Sequence, residues 1–160
     1  AITALLLTAT AIAFEAAMDS YQANHDLSMV SISTRNILHQ MCSSIRASWN
    51  DPLNGTPTTV TADGTECTFF DQTGKEITYA YNTAEHRLEI NINNGPDWFT
   101  LVDNVFPTVG GDHIFTLTPA DTSIFPTGTA GRVEIRFKVV ENDVSRTVSA
   151  AAVPCNILYY

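Results

Sequence analysis

Hydrophobic residues at the start of the chain would cover every side of a helix. Residues 1–18 (AITALLLTATAIAFEAAM) carry a single charge, Glu15, and contain neither Gly nor Pro. Residues 19–50 also lack Gly and Pro, but their apolar positions recur at steps of three and four, which is typical of an amphipathic helix. The pattern predicts one long helix with two surroundings. Its first part needs lipid or other helices, and its second part needs a sheet to lie against.

The amphipathic part predicts which side chains pack on that sheet. They share one stripe, which also contains Thr34: Leu27, Val30, Ile37, Leu38, Met41, Ile45 and Trp49. Cys42 is predicted to border this stripe. The sequence Asn50-Asp51-Pro52 is predicted to end the helix, because the residue before Pro is driven out of the helical conformation and Asn and Asp favour turns.

Beyond the helix, the hydrophobic period becomes two, which indicates strands. Residues 66–70, 76–82 and 87–93 are predicted to form an antiparallel meander with one apolar face. A short edge strand is expected within residues 58–61, and residues 98–105 form either a strand or a bridging segment. Further strands are predicted over residues 113–118, 132–140 and 144–153, and the last two form a hairpin. The predicted fold is therefore α+β, a long helix packed on an antiparallel sheet, with residues 51–160 forming the β-rich part of one domain.

Charge and composition limit the classes of partner that the chain can bind. The chain has 160 residues, enough for one domain with a core, and a formal net charge of −9. Its basic residues number only 8, and the densest group, Arg132, Arg136 and Lys138, alternates with apolar residues as on the solvated face of a strand. Because phosphate binding needs clustered Lys and Arg, a nucleic-acid partner is not expected.

Three cysteines, Cys42, Cys67 and Cys155, are too few and too far apart for a zinc site. Their odd number permits one disulfide and one free thiol. A Cys67–Cys155 bond is preferred over Cys42–Cys67, because the former two cysteines lie in or beside predicted strands. Three reduced, buried thiols remain the alternative.

Evidence for catalysis is slight. The four histidines are widely separated along the chain, and no established catalytic motif occurs. His39 and Cys42 lie three residues apart on the predicted helix, a spacing that is also common by chance, so we expect no enzyme activity and no cofactor. Asp112 and Asp121 lack the alternating spacing of a calcium loop, so no metal is expected. Asn54-Gly55-Thr56 is a glycosylation sequon that a surface turn explains equally well.

Residues 1–18 do not read as a cleaved signal peptide, since they lack a basic start and a small-residue cleavage site. As a membrane span they are marginal, because about 20 apolar residues are needed to cross the hydrocarbon. Glu15 either pairs with a cation inside a helix bundle or lies at the lipid–water boundary. Small residues spaced along the segment permit close helix–helix approach: Ala4, Ala9, Ala11, Ala13, Ala16 and Ala17.

This layout resembles type IV pilin-like proteins. The resemblance is carried by the apolar half-helix ALLLTATAIAF, its exit at AMDSYQAN, the amphipathic half STRNILHQMCSSIRASW and the strand-rich remainder ending in RTVSAAAVPCNI. Within that class the chain is most similar to the J-type minor pseudopilins of type II secretion. The family's starting motif, Phe-Thr-Leu-x-Glu, is absent, so we expect several residues to precede Ala1. Glu15 does not take the role of the family's N-terminal glutamate.

The resemblance implies a structural subunit that is stored in the inner membrane of a bacterial cell envelope and polymerised by pilus or secretion machinery. The product would be a helical homo-oligomeric filament, extracellular or periplasmic. The residues expected in the filament core are Ala1, Leu5, Leu6, Leu7, Ala9, Ala11, Ile12, Phe14 and Glu15. A repeating subunit is preferred over a minor pseudopilin. The alternative function is a monomeric, membrane-anchored binding module, either an adhesin or a ligand receptor.

Overall fold

One helix and nine strands are formed by the residues that the computed structural model describes, namely 2–48, 58–108, 113–119, 131–141 and 144–154. They follow the chain as α1 (Ile2–Arg46), β1 (Thr59–Val60), β2 (Glu66–Phe70), β3 (Glu76–Asn82), β4 (Arg87–Ile92), β5 (Phe99–Val102), β6 (Val105–Phe106), β7 (Phe115–Thr118), β8 (Arg132–Glu141) and β9 (Val144–Ala152). The predicted class, α+β with a long N-terminal helix on antiparallel strands, is confirmed, and it is a pilin-like layout.

α1 is continuous for 45 residues, as the absence of Gly and Pro predicts. At its end, the Ala47 amide donates to the Ser43 carbonyl, four residues back, at 3.0 Å. The Ser48 amide then donates to the Ile45 carbonyl, only three residues back, at 3.2 Å. Arg46 places a positive charge in the last turn, where the helix dipole favours it. The predicted stop at Asn50-Asp51-Pro52 lies outside the described residues.

The first sheet is a five-stranded antiparallel meander in the order β1-β2-β3-β4-β5. β2 and β3 match the predicted strands, and local turn chemistry sets their register. Asp71 accepts bonds from the amides of Thr73 at 2.8 Å and Lys75 at 2.9 Å, and Gly74 completes the turn at a φ of 81°. The short edge strand expected within residues 58–61 is present as β1.

The second sheet is built on β8, and its existence was not predicted, because the sequence indicated a single sheet. β9 pairs along the length of β8, while β6 and β7 pair with its opposite edge. The segment predicted over residues 98–105 divides between the sheets, with β5 in the first and β6 in the second. Asn104 turns the chain between them at a φ of 55°, a conformation that Asn tolerates. This segment therefore bridges the two sheets.

A glycine ties the sheets together at a second point. The carbonyl of Gly64 accepts bonds from the amides of Ile114 at 3.0 Å and Phe115 at 2.9 Å. Gly64 has a φ of 66°, and a Cβ there would lie 2.6 Å from the Phe115 carbonyl oxygen. Only glycine fits this approach, which joins the β1–β2 turn to the start of β7.

The core lies where α1 crosses the strands. Its largest fully buried side chains are Tyr79, Phe69, Phe115, Phe137, Met41, Ile45, Leu88, Ile114 and Ile135. From the predicted helix stripe, Leu38, Met41 and Ile45 are buried, whereas Val30 and Ile37 are partly buried against the core. Leu27 is half-buried, and Trp49 lies outside the described residues.

Candidate functional site

The first half of α1 is an unprotected apolar surface. Every described residue from Ile2 to His25 is exposed, including the large side chains Ile2, Leu5, Leu6, Leu7, Ile12, Phe14 and Met18. By length and composition this helix is able to cross a membrane. Since water solvates such a surface poorly, it needs lipid or other apolar helices around it.

Two hydroxyl groups within this half are already bonded to carbonyls of the helix itself. The Thr8 hydroxyl donates to the Ala4 carbonyl at 2.9 Å, and the Thr10 hydroxyl donates to the Leu6 carbonyl at 2.6 Å. Both can therefore enter an apolar environment without leaving an unpaired donor. Glu15 is exposed, and in the described part of the chain it forms no ion pair. Ala1, also predicted for the filament core, is outside that part.

A second exposed apolar stripe extends the surface beyond Met18, and the sequence analysis missed it. Met18, Tyr21, Met29 and Ile32 are all exposed. At about 100° per residue, these positions lie about 180° around the helix from the stripe that packs on the sheets. Placing the sequence on a helix at about 100° per residue would have shown these four residues on the side opposite the buried stripe. We call Met18, Tyr21, Met29 and Ile32 the outer stripe.

The helix segment that follows the outer stripe, from Thr34 to Ile45, is fixed to the strands by its opposite face. Met41 and Ile45 are almost fully buried, and they pack with side chains from both sheets in one hydrophobic cluster. Burying a side chain of this size contributes about 1.5–3 kcal/mol. This contact orients the helix, so that the outer stripe faces away from the strands.

The two cysteines that the structure describes belong to the hydrophobic core. Cys42 and Cys67 are both buried free thiols of the core cluster, and Cys42 also faces the open space between α1 and β9, so it borders the buried stripe as predicted. The structure contains no Cys42–Cys67 bond, which was the less favoured of the two pairings. Cys155 is outside the described residues, so a Cys67–Cys155 pair stays a prediction for the oxidised protein.

Burial also sets the chemistry of these thiols. It raises the pKa of Cys67 to about 12 and raises that of Cys42 above its ordinary value, although Arg46 partly opposes the latter shift. A nucleophilic cysteine needs a lowered pKa, and the pKa of Cys42 is raised. His39, three residues before Cys42, is exposed to solvent. These environments disfavour a thiol–imidazole catalytic pair.

Other candidate sites give no further support for chemistry. Among the described residues, no three His, Cys, Asp or Glu side chains converge as metal ligands. Asp112, Asp121 and the sequon at Asn54 lie outside those residues. Comparison with protein-family models, with curated proteins and with solved structures finds no match to this chain.

Proposed function

We propose that the chain is a structural subunit of a pilus-like or pseudopilus filament, which assembles through α1. Before assembly the apolar half of α1 lies in the inner membrane of the cell envelope. The pilus or secretion machinery then transfers it into a filament, where neighbouring helices replace the lipid. The β-rich part faces outward, and no enzymatic step is involved.

The observation that carries the proposal is the outer stripe. A monomeric anchor accounts for exposed apolar residues up to about Met18, where the membrane-competent segment ends. It does not account for Met29, which lies about 16 Å further along the helix, or for Ile32. In a bundle of parallel helices, this stripe packs on neighbouring subunits while the opposite face holds the strands.

The composition of the apolar half agrees with close helix packing. Ala9, Ala11, Ala13, Ala16 and Ala17 alternate with larger side chains, and small residues let helix backbones approach each other. The satisfied hydroxyls of Thr8 and Thr10 add no desolvation penalty when the helix moves from lipid into protein. Repeated copies of one such helix make a closely packed apolar core.

Substitution at Ile32 separates assembly from anchoring. We expect Ile32→Lys to leave membrane association intact and to reduce filament formation at least tenfold, because a charge then enters the helix contact. Ile32→Leu, which keeps the apolar volume, is the matched control. Membrane association is measured by carbonate extraction, and filaments are counted by negative-stain electron microscopy of sheared cells.

Equal numbers of filaments from Ile32→Lys and Ile32→Leu would contradict the proposal. Complete absence of filaments from the unmodified protein, with a monomeric membrane-bound form instead, would favour the alternative function as a monomeric adhesin or receptor. Removal of residues 1–18 provides a further comparison. Since none of the described residues in that segment is buried, we expect the remaining chain to be a soluble, folded monomer.

A further inference from the structure

An open groove of about 510 Å³ runs between the second half of α1 and strand β9. Its helix side is formed by Ser31, Arg35, Leu38, His39, Cys42 and Arg46. Its strand side is formed by consecutive residues from Arg146 to Ala151. The groove lies beyond the apolar half of α1, and its helix side begins at Ser31, next to Ile32 of the outer stripe.

The groove concentrates positive charge in an acidic protein. Arg35, Arg46 and Arg146 line it together with His39, and no lining residue is acidic. The chain has only 8 basic residues against 17 acidic ones, so this clustering runs against its composition. An anionic ligand in the groove would be attracted by all three guanidinium groups.

These arginines also differ from those elsewhere on the surface. Arg87, Arg132 and Arg136 each form an ion pair with a carboxylate of the chain. In the ranges that the structure describes, Arg35, Arg46 and Arg146 form none. Arg46 only donates a bond to the Ala151 carbonyl at 3.4 Å. Their charges are therefore available to an external anion.

On the strand side of the groove, β9 has an edge that pairs with no other strand among the described residues. On β8, the amides of Arg136 and Val140 donate to the carbonyls of Ile114 at 2.9 Å and Asn104 at 3.0 Å, and so point away from β9. In an antiparallel pair, the residues opposite such positions turn their own backbone groups outward. The residues opposite Arg136 and Val140 are Ser149 and Ser145. Because every second residue of a strand points its backbone groups to the same side, Thr147 and Ala151 also direct theirs outward. The bond from Arg46 to Ala151 shows that this edge borders the groove.

We propose that the groove binds an extended, acidic peptide segment of a partner protein, which adds a strand to the free edge of β9. The segment's backbone would bond to Thr147 and Ser149, while its alternate carboxylates meet Arg35, Arg46 and Arg146. The edge from Arg146 to Ala151 is about 17 Å long, which suits a segment of about six residues. Main-chain bonds supply affinity in this mode, and the charges supply selectivity.

The geometry favours a peptide over a small anion. The charged groups are distributed along the groove instead of converging on one point, because Arg35 and Arg46 lie about 16 Å apart along α1. A strand edge without a partner is a ready template for another extended chain. The small side chains of Ala150 and Ala151 keep the strand side open.

Binding is tested with the full chain in detergent micelles and a fluorescein-labelled heptapeptide of alternating Glu and Val. We expect saturable binding by anisotropy, and binding at least about tenfold weaker to the same peptide with Gln in place of Glu. The double variant Arg35→Gln, Arg146→Gln should weaken binding at least about tenfold, since two charge-assisted bonds are lost. Arg132→Gln, which removes the same kind of charge outside the groove, should bind as the unmodified chain does.

The added strand is tested by amide hydrogen exchange. Peptide binding should slow exchange at Thr147 and Ser149 by at least tenfold, and Thr147→Pro should weaken binding, because Pro removes only an outward-facing N–H at this position. Unchanged exchange during binding would overturn the proposed strand. Equal binding by the arginine double variant would overturn the site. Self-association through the groove, detected as sedimentation that the peptide reverses, would assign the edge to a second copy instead of a partner.

Discussion

Thr34 carries a hydroxyl into the contact between α1 and the strands. Its side chain is buried, and its Oγ1 has no hydrogen-bond partner in the structure. A buried hydroxyl that has lost its water without gaining a partner costs about 1–3 kcal/mol. The Thr34 side chain therefore fills its space in the buried stripe, but its unpaired hydroxyl lowers the stability of the fold.

Replacing Thr34 by Val, which has the same shape, should raise the free energy of unfolding by about 1 kcal/mol, because the unpaired hydroxyl is removed. Thr34→Ser is the control, since it keeps the hydroxyl and loses a methyl, and it should lower the stability. Both are measured by denaturant titration in micelles, followed by Trp fluorescence. A destabilised Thr34→Val variant would show that the hydroxyl does have a partner in solution.

Cys67 makes the stability depend on alkaline pH. Burial raises the pKa of its thiol from 9.0 to about 12, so the folded state holds its proton after the unfolded chain has released it. The contribution of this thiol is therefore fully present below pH 9 and is lost as the pH rises toward 12. The expected slope is about 1.4 kcal/mol per pH unit within that window.

In Cys67→Ala, the free energy of unfolding should fall less steeply between pH 9 and 12 than in the unmodified chain. It should not become flat, because burial also raises the pKa values of Cys42 and Tyr79. Denaturant titrations at several pH values, with reductant present, provide the measurement. Equal slopes in both proteins would mean that the Cys67 thiol is accessible to water.

At the scale of elements, α1 uses opposite sides of two successive segments for different contacts. Ile45 is 0% exposed against the sheets, whereas Ile32 is 56% exposed on the outer stripe. The same residue type therefore contributes to the folding of the monomer at one position and is free for association at the other.

Ile45→Ala should lower the free energy of unfolding of the monomer by about 2–5 kcal/mol, through lost burial and a new cavity. Ile32→Ala, the matched control, should change it by less than about 0.5 kcal/mol. Denaturant titration of the detergent-solubilised monomer compares the two. Similar losses at both positions would show that Ile32 is buried in the monomer.

Local sequence patterns predicted the helix and most strands, because each of these depends on neighbours along the chain. The period of Leu38, Met41 and Ile45 identified the buried face, and alternation identified β2, β3 and β8. The division into two sheets was not predictable in this way. It depends on Asn104 turning the chain and on Gly64 approaching β7, which are contacts between distant segments.

The same limit applies to the candidate sites. The apolar half of α1 was predicted from composition alone, whereas the groove was not. Arg35 and Arg146 are far apart in the sequence, and they line one groove only because β9 packs beside α1. The solvated strand face predicted for Arg132, Arg136 and Lys138 gave no indication of this second group of basic residues.

The whole molecule has a stable β-rich part and an apolar helix half that adds nothing to its folding. Ile12 is exposed, so Ile12→Lys should leave the free energy of unfolding unchanged. The substitution should reduce membrane partitioning, because a central Lys costs about 2.5–3.5 kcal/mol in a membrane helix. Sedimentation with liposomes measures the membrane partitioning, and unfolding followed by Trp fluorescence measures the stability. Ile12→Leu is the control for both. Loss of stability in Ile12→Lys alone would contradict this independence.

The placement of the buried stripe has a mechanical consequence. A tensile force applied along α1 from its N-terminal half would act parallel to the helix–sheet contact, so the contact would be loaded in shear. Buried residues from Thr34 to Ile45 would then resist together, instead of separating one after another as in peeling. Over about 16 Å of helix, the load would spread across both sheets, since Gly64 and Asn104 couple them. A domain held in this way is suited to transmitting tension through its helix without unfolding.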